Sequence, residues 1–333
     1  MRIVESKEQL DQVAKGQVLT IGNFDGVHIG HRAIIKGART QAEQRGTALV
    51  VMTFDPHPAA ILHPEKAPGV LTPLGLKRNL LEQQGADFLI VVRDSFELLN
   101  LSPEDFVDEF LMRTIQPCAV VEGPNFNFGY GRSGDIETLK ELGVERDFDV
   151  VVVAAQQINL GDGSVSIASS SLVRNLLEAG RVSQASAVLG RNYKLIGKVI
   201  EGRGIGTQIG FPTANIEPLN QIIPAEGVYA GFVEIADNCA DIFRPQKKLP
   251  AVFSIGRAKT FVKEHRLLIE AHLLGDVGVI YDKYLAMDFV EFLRHQQRFE
   301  SHERLAEQIE KDCQKAGRIL AERPGSKTIT GRP

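Results

Sequence analysis

The first half of the chain alternates short apolar runs with amphipathic stretches, and the two patterns predict different elements. QVLTIGNF (17–24) and TALVVMTF (47–54) are apolar and rich in β-branched residues, which is typical of buried strands. Between them, 31–46 has apolar residues at helical spacing, at Ile34, Ile35, Ala38 and Ala42, with Gly46 as a candidate C-cap. A strand, helix and strand in this order predict a right-handed crossover and a parallel sheet.

The same alternation continues towards residue 180. Further strands are predicted at DFLIVV (87–92), CAVVEG (118–123) and DVVVVAA (149–155). Helices are predicted at 102–113, with Ser102 as N-cap and Pro103 in the first turn, and at 169–180, ending at Gly180. Strands that alternate with helices indicate a doubly wound α/β domain with a parallel sheet.

The pattern changes near residue 190, where strand-like runs follow one another without helices. These runs are YKLIGKVIEG (193–202), GVYAGFVEIAD (227–237), LPAVFSIG (249–256), RLLIEAHLLGD (266–276) and KYLAMDFVEFL (283–293). Such spacing favours an antiparallel sheet or small barrel. A long helix is predicted at 301–322, with Leu305, Ile309 and Cys313 on one face. We therefore predict domains at 1–186 and 187–318, and a disordered tail at 319–333.

Composition narrows the class of protein. The 333 residues are 43% hydrophobic and 24% charged, with a net charge of -4, so a strongly basic nucleic-acid-binding surface is not expected. The N-terminus lacks the apolar segment of a secretory signal, and no apolar run approaches the roughly 18 residues of a membrane helix. Cys118, Cys239 and Cys313 are far apart and odd in number, which predicts a reducing, cytoplasmic setting.

The segment FDGVHIGH (24–31) carries the first candidate chemistry. His28 and His31 lie between a predicted strand and a predicted helix, at the edge where open α/β sheets bind ligands. The N–H groups and dipole of the helix start favour an anion, and Gly26 and Gly30 allow close approach. A zinc site is less favoured because no Cys or HExxH helix accompanies the pair.

This HxGH segment resembles the signature of the nucleotidyltransferase superfamily, which transfers a nucleotidyl group to a phosphate and releases pyrophosphate. Three more segments follow in order, at TFDPHP (53–58), GPNFNFGYGRSG (123–134) and SSSLVR (169–174). Together they resemble the N-terminal half of the bifunctional riboflavin kinase/FAD synthetase family. The resemblance implies a Rossmann-like fold for this half.

The resemblance also implies residue roles. His28 and His31 would stabilise the phosphates of ATP. The nucleotide loop would comprise Asn23, Phe24, Asp25 and Gly26. Phosphate would also be bound by Ser169, Ser170 and Arg174, and flavin by Asn125 and His57. No nucleophilic side chain is needed, because a phosphate oxygen of the substrate attacks; the enzyme supplies positioning and charge stabilisation, helped by Mg²⁺.

EGRGIGTQIGFPTANI (201–216) carries the second candidate site. Its glycines could pass for a dinucleotide-binding fingerprint, but Pro212 breaks the helix that such a fingerprint requires. They are better interpreted as a flexible flap over phosphates, at Gly202, Gly204 and Gly206. No GxxxxGK[ST] motif is present, so a P-loop kinase is excluded. The segment resembles instead the Gly-rich loop and GFPTAN signature of the riboflavin kinase domain.

That resemblance continues to about residue 318 and implies an antiparallel barrel with a terminal helix. Thr213 and Asn215 would hold Mg²⁺ and ATP, and Glu270 would be the general base on the ribityl hydroxyl. The remaining implied contacts are Gly204 and Gly210 for the nucleotide and Arg294 for the flavin. The chain departs from the family pattern at 258–261 (AKTF), at Gln296 and at 274–282 (LGDVGVIYD).

The sequence thus predicts a two-step enzyme that phosphorylates riboflavin to FMN and adenylylates FMN to FAD. Its expected partners are ATP, riboflavin and FMN, with Mg²⁺ as cofactor and neither nucleic acid nor membrane; its oligomeric state stays open. Three alternatives remain. The barrel could be a flavin-binding module beside a working adenylyltransferase, both sites could bind without turnover, or the first half could be another HxGH transferase.

Overall fold

The computed structural model describes residues 1–93, 96–202, 206, 209–257, 267–275, 278 and 280–323. The chain forms two compact units. The first comprises Met1–Gly69, Leu74–Asn159 and Ser164–Ser169, and the second comprises Val70–Pro73, Leu160–Gly163 and the chain from Ser170 onward. The division by packing therefore falls before the boundary at residue 186 that the sequence predicts.

The first unit is built on a parallel sheet of six strands with the order β1-β4-β3-β2-β5-β6. The strands are β1 (Arg2–Val4), β2 (Val18–Ile21), β3 (Leu49–Phe54), β4 (Phe88–Val92), β5 (Ala119–Glu122) and β6 (Asp149–Val152). The chain runs outwards from β2 to β3 and β4, then returns to the other side of β2 as β5. The predicted doubly wound sheet is confirmed, and its switch point lies between β2 and β5.

Helices flank this sheet. They are α1 (Lys7–Leu10), α2 (Ile29–Arg45), α3 (Pro58–Leu62), α4 (Leu74–Gln83), α5 (Phe96–Leu99), α6 (Pro103–Asp105) with a π-helical continuation (Phe106–Ile115), and α7 (Ile136–Glu145). Gly46 ends α2 with a φ of 65°, and the Ser102 hydroxyl accepts from the Asp105 N–H, so both predicted caps are confirmed. Two 3₁₀ turns (Pro64–Lys66, Tyr130–Arg132) and an unpredicted hairpin, β7 (Gln157–Asn159) with β8 (Val165–Ile167), complete the unit.

The sheet is covered on both faces, which explains the continuous apolar runs of its strands. In β3, Val50 and Met52 join one hydrophobic cluster and Val51 joins the other. In β2, Leu19 and Val18 divide between the clusters in the same way. The core thus fixes β2, at whose carboxyl end the histidine segment begins.

The second unit contains a closed antiparallel barrel with the order β10-β13-β12-β11-β14-β9. Its strands are β9 (Tyr193–Ile200), β10 (Ala214–Pro218), β11 (Gly227–Ala236), β12 (Leu249–Arg257), β13 (Leu267–Leu273) and β14 (Tyr284–Arg294). Its helices are α8 (Ser170–Glu178), α9 (Val182–Leu189), α10 (Cys239–Ile242) and α11 (His302–Ala321). The predicted barrel and terminal helix are confirmed, whereas β10 was not among the predicted strands.

Helices close the outside of this barrel. α8 is tied to it by a hydrogen bond from the Ala225 N–H to the Leu177 carbonyl oxygen, at 2.9 Å. α11 buries Ala316 and Leu320 and runs to Ala321, beyond the predicted domain end at residue 318. The predicted tail from residue 324 onward lies outside the described residues. No helix in the described ranges is both long and apolar enough to cross a bilayer.

Candidate active sites

The loop between β2 and α2 holds an unusual backbone. Phe24 and Val27 have φ values of 44° and 42°, and Gly26 has a φ of 87°. A positive φ is strained for a β-branched residue such as Val27, and such strain concentrates at functional sites. Both Phe24 and Val27 are buried, so packing holds the loop in this shape.

His28 caps α2 with its side chain. Its Nδ1 accepts a hydrogen bond from the backbone N–H of His31 at 3.3 Å. A neutral imidazole that accepts at Nδ1 carries its proton on Nε2. The cap therefore fixes His28 as a donor through Nε2, beside the N–H groups of the helix start that suit an anion.

His31 stacks on His28 with ring centroids 3.7 Å apart, and Phe24 contacts its ring edge-on at 5.3 Å. Burial, followed by the neighbouring His28 and Lys77, holds the pKa of His31 well below its ordinary value. Its Nδ1 is buried and has no hydrogen-bond partner within the part of the chain that the structure describes. Buried polar atoms are normally hydrogen-bonded, so this nitrogen is a position at which a ligand or a water molecule can bind.

Asn23 and His57 form a second polar pair at this edge. His57 is the N-cap of α3, and its Nδ1 accepts from the Ala59 N–H at 3.1 Å, so its Nε2 carries the proton when neutral. The Asn23 Nδ2 lies 3.0 Å from Nε2, so two donors face each other there, and rotating the carboxamide by 180° brings its oxygen to the ring instead. In that orientation the NH₂ group of Asn23 takes the second, buried position of the carboxamide, where the described residues offer it no partner. Asn23 thus presents a donor that suits a phosphate oxygen.

Glu122 lies at the switch point and was not singled out by the sequence. The β2–β5 ladder ends at Leu19 and Val120, and beyond it the Glu122 carboxyl accepts from the Ile21 N–H at 2.6 Å and the Thr20 hydroxyl at 3.4 Å. Burial raises the pKa of Glu122 well above its ordinary value, despite these bonds. A side chain therefore replaces the ladder where the two strands separate.

Gly30 shows why the HxGH segment needs its glycine. A Cβ there would lie 3.1 Å from the His28 ring and 3.4 Å from the Ala168 carbonyl oxygen. The segment just before Ser169 is thus brought to the histidine loop. Ser170 and Arg174 begin α8 in the second unit, and Asn125 is exposed after β5. The roles predicted for these residues stay predictions.

The second unit contains a cavity of about 900 Å³. It is lined by Thr213, Asn215, Glu270 and Arg294, four residues that the sequence predicts for one site. Asn215 on β10 lies directly opposite Glu270 on β13. Side chains opposite each other in an antiparallel pair are about 5 Å apart at Cβ, so the amide and the carboxyl share one wall.

The glycine segment lies against the same wall. A Cβ on Gly202 would collide with the Asn215 amide at 1.8 Å, and one on Gly206 would lie 2.4 Å from the Phe211 carbonyl oxygen and 3.1 Å from the Thr213 hydroxyl. Gly210 has a φ of 86°, which favours glycine. The predicted contacts at Gly204 and the departure at 258–261 lie outside the described residues.

His272 anchors the PTAN turn and was missed by sequence reasoning. Its Nδ1 lies 2.8 Å from the Pro212 carbonyl oxygen, which can only accept, so the ring donates there. Its ring also contacts Phe211 edge-on at 5.5 Å. Because His272 is two residues from Glu270 on β13, one strand holds both the turn and the predicted base. The spacing IEAH is the only sequence signal for this role.

Arg294 and Gln296 also line the cavity. The guanidinium of Arg294 donates to Asp312 on α11 at 2.8, 3.0 and 3.1 Å. Gln296 Nε2 donates to the Ile255 carbonyl at 2.9 Å and the Ser254 hydroxyl at 3.0 Å. Arg294 therefore joins the barrel to α11, and its predicted flavin contact stays a prediction.

The oxygen atoms at the cavity wall are suitable ligands for a small divalent cation. Thr213 and Asn215 offer a hydroxyl and a carboxamide oxygen, and hard cations such as Mg²⁺ prefer oxygen ligands. Gly202 packs so closely against Asn215 that any larger residue there would collide with its carboxamide. Across the described ranges, no group of three or more His, Cys, Asp or Glu side chains is arranged to hold a metal.

Comparison with known proteins agrees with this division. A family model for FAD synthetase matches residues 10–169, and one for riboflavin kinase matches 189–320. The bifunctional riboflavin kinase/FMN adenylyltransferase of Escherichia coli K12 is 34% identical over 313 residues, covering 94% of this chain and 96% of that protein. The protein of that name from Pseudomonas fluorescens is 35% identical over 321 residues, covering 96% and 98%.

A solved structure shows the same fold along the chain. It is titled as a macrolide-efflux protein from Streptococcus pneumoniae and superposes with a TM-score of 0.83 at 24% identity, covering 95% of this chain and 99% of that one. At this identity the similarity is evidence for the fold alone. The relatives above 30% identity, together with both family models, establish that the chain belongs to the bifunctional riboflavin kinase/FMN adenylyltransferase family.

Proposed function

We propose that this chain makes FAD from riboflavin in two ATP-dependent steps. The barrel unit phosphorylates riboflavin to FMN, and the parallel-sheet unit adenylylates FMN to FAD. The small-molecule partners are then ATP, riboflavin and FMN, in the cytoplasm. Support comes from the two family matches in series on one chain and from relatives that carry both activities in their names.

In the adenylylation step, a phosphate oxygen of FMN attacks the α-phosphorus of ATP. The new P–O bond forms as the bond to pyrophosphate breaks, and pyrophosphate leaves with its electron pair. The residues of this site bind and orient: the Nε2–H of His28 and the amide of Asn23 donate to phosphoryl oxygens whose charge grows in the transition state. No proton transfer to a side chain is required, because the attacking phosphate is already ionised.

In the kinase step, the 5′-hydroxyl of the ribityl chain attacks the γ-phosphorus of ATP. Glu270 takes the hydroxyl proton, the bond to ADP breaks, and FMN forms. Thr213 and Asn215 would hold Mg²⁺, which when bound neutralises phosphate charge and orients the nucleotide. The pairing of Asn215 with Glu270 in the cavity supports this assignment, because the side chains that would act as metal ligand and base then share one wall.

The test is a time course followed by HPLC with purified protein, riboflavin, ATP and Mg²⁺. We expect FMN to appear first and FAD to follow. FAD from added FMN without FMN from riboflavin would contradict the kinase half, and absence of product from either flavin would contradict the enzyme. A parallel reaction with EDTA should form neither product if a divalent metal is required.

A further inference from the structure

Lys77 is a buried cation in the first unit to which no role has been assigned. It lies on α4 with only 6% of its surface exposed, beside the buried Leu76 and Leu81. Lysine is rarely buried unless it is paired, because an ammonium loses its hydration there. Burying the ammonium is unfavourable for folding, so the contacts that Lys77 makes should account for its position.

The Lys77 ammonium reaches the base of the nucleotide loop. Its Nζ donates to the Asn23 carbonyl oxygen at 2.8 Å and lies 3.5 Å from the Thr53 hydroxyl. The Thr53 hydroxyl also donates to the Asn23 carbonyl, at 3.1 Å. Two donors thus fix this carbonyl immediately before Phe24, where the backbone turns to a positive φ.

The charges around Lys77 come from the loop, from β3 and from α2. Burial lowers the pKa of Lys77. The carboxylates of Asp25 in the loop and Asp55 after β3 favour the ammonium and oppose this effect. The positive charge of Lys77 also helps to lower the pKa of His31 on α2. A buried cation whose charge is felt by a loop carboxylate and by a site histidine, at the carboxyl edge of a parallel sheet, is typical of a functional site.

We propose that Lys77 is a positioning residue for adenylyl transfer, holding the Asn23 carbonyl so that the nucleotide loop keeps its shape and placing a fixed positive charge beneath the phosphate site. The inference rests on the proposed adenylylation reaction. Lys77 acts through Asn23 and the loop rather than on the reacting atoms. Its charge complements a polyphosphate, which brings several negative charges to this edge.

Replacement by methionine distinguishes this role from a merely structural one. In Lys77→Met the side chain is one atom shorter but fills most of the same space, and the Asn23 carbonyl keeps the Thr53 hydroxyl as a donor. Removing a buried ammonium should then leave the melting temperature unchanged or raise it. A structural lysine would show loss of stability, whereas a positioning lysine shows loss of activity in a stable protein.

The experiment measures FMN-to-FAD conversion under steady state, with kinase activity of the same chain as an internal reference. For K77M we expect kcat/KM for ATP to fall about tenfold or more, as for loss of a hydrogen bond from a charged group, with the KM for FMN and the kinase rate unchanged. The matched control is K140M, which removes an exposed lysine of α7 paired with Glu137 and should leave both activities unchanged. In K77M the pKa of His31, followed by NMR, should rise.

Wild-type kcat/KM for ATP in a folded K77M protein would overturn the proposal. If K77M does not fold, K77Q provides the test, because glutamine keeps a hydrogen-bond donor without the charge. A reduced kcat/KM for ATP in K77Q would support the role of the charge. The wild-type value would overturn the proposal. If the wild-type chain itself forms no FAD from FMN, the proposed adenylylation fails instead, so the two failures are distinguishable.

Discussion

His28 and His31 stack with their ring planes only 21° apart and their centroids 3.7 Å apart. Two positive charges at this distance would repel each other strongly, so the pair carries at most one positive charge. The backbone bond to His28 Nδ1 and the lowered pKa of His31 both favour neutral rings. The pair therefore acts through directed N–H groups and leaves positive charge to other groups.

Replacing His28 by asparagine should separate helix capping from chemistry. Asparagine is a good N-cap, so His28→Asn should keep α2 folded, whereas His28→Ala should cost about 1 kcal/mol of stability. Both variants lose the Nε2–H donor, and we expect FAD formation to fall at least about a hundredfold in each, with FMN formation unchanged. HPLC rates and melting curves of the two variants provide the comparison.

Glu270→Gln should give the opposite pattern. The carboxamide keeps the shape of the side chain but cannot take the ribityl proton, so we expect FMN formation to fall by about a hundredfold or more while FAD still forms from added FMN. Loss of both activities in a folded protein, from either the His28 or the Glu270 change, would contradict the assignment of two separate sites.

Glu122 should make the first unit less stable as the pH rises. Its pKa is raised from 4.5 in the folded state, so the fold binds more protons than the unfolded chain, and stability declines as pH rises above about 4.5. Glu122→Gln keeps an acceptor for Ile21 and cannot ionise. Hydrogen exchange in β2 should therefore be slower in E122Q than in wild type at pH 8 and equal near pH 4.5. For each tenfold increase in proton affinity that folding gives Glu122, the free energy of local opening at pH 8 should be about 1.4 kcal/mol higher in E122Q than in wild type.

The matched control for this change is Glu141→Gln, at an exposed position on α7, which should not alter exchange in β2 at either pH. Equal exchange of wild type and E122Q across the whole range would mean that Glu122 titrates normally in the fold.

Gly30→Ala should lower adenylylation without unfolding α2. The added methyl would lie 3.1 Å from the His28 ring, which must move, while alanine favours the helix. We expect FAD formation to fall by about tenfold or more with the melting temperature unchanged or higher. Gly317→Ala on α11, where nothing lies within 4 Å of the new methyl, is the control and should gain about 0.5–1 kcal/mol with both rates retained. Full FAD formation in G30A would show that His28 has freedom to move.

Removing Asp312 should release α11 from the barrel. Asp312→Ala leaves the largely buried guanidinium of Arg294 without its carboxylate, a loss of about 3 kcal/mol or more for a broken buried pair. We expect a lower melting temperature and a higher KM for riboflavin. Glu307→Ala breaks the exposed pair with Arg304 at 3.2 Å and should cost less than about 1 kcal/mol. Similar melting of the two variants would argue against this role.

The sequence predicted the architecture because hydrophobic burial governs it. Both parallel-sheet and barrel strands follow from apolar runs and their spacing, and the caps at Gly46 and Ser102 follow from local backbone chemistry. β10 was missed because Pro212 lies just before it and Pro218 at its end, and only pairing with β9 and β13 makes this segment a strand.

The polar contacts of the sites could be predicted less well. Lys77 lies in a helix pattern in which lysine usually faces solvent, and Glu122 lies in an apolar run where its side-chain bond to Ile21 leaves no signal. Motif resemblance singled out His28 and Glu270 as candidates. The tautomer of His28 depends on a cap geometry, and the partner of Arg294 on a contact between residues distant in sequence. The roles of Ser170 and Arg174 remain predictions.

The second unit includes two helices that lie almost wholly between the family matches. The matches end at 169 and resume at 189, yet α8 and α9 pack within the barrel unit, where the Ala225 N–H binds the Leu177 carbonyl. A protease that cut at residue 189 would uncover apolar barrel surface and produce an aggregating fragment. A cut before Ser170 would instead leave both helices with the barrel, so we expect the barrel unit to stay folded after that cut and not after a cut at residue 189.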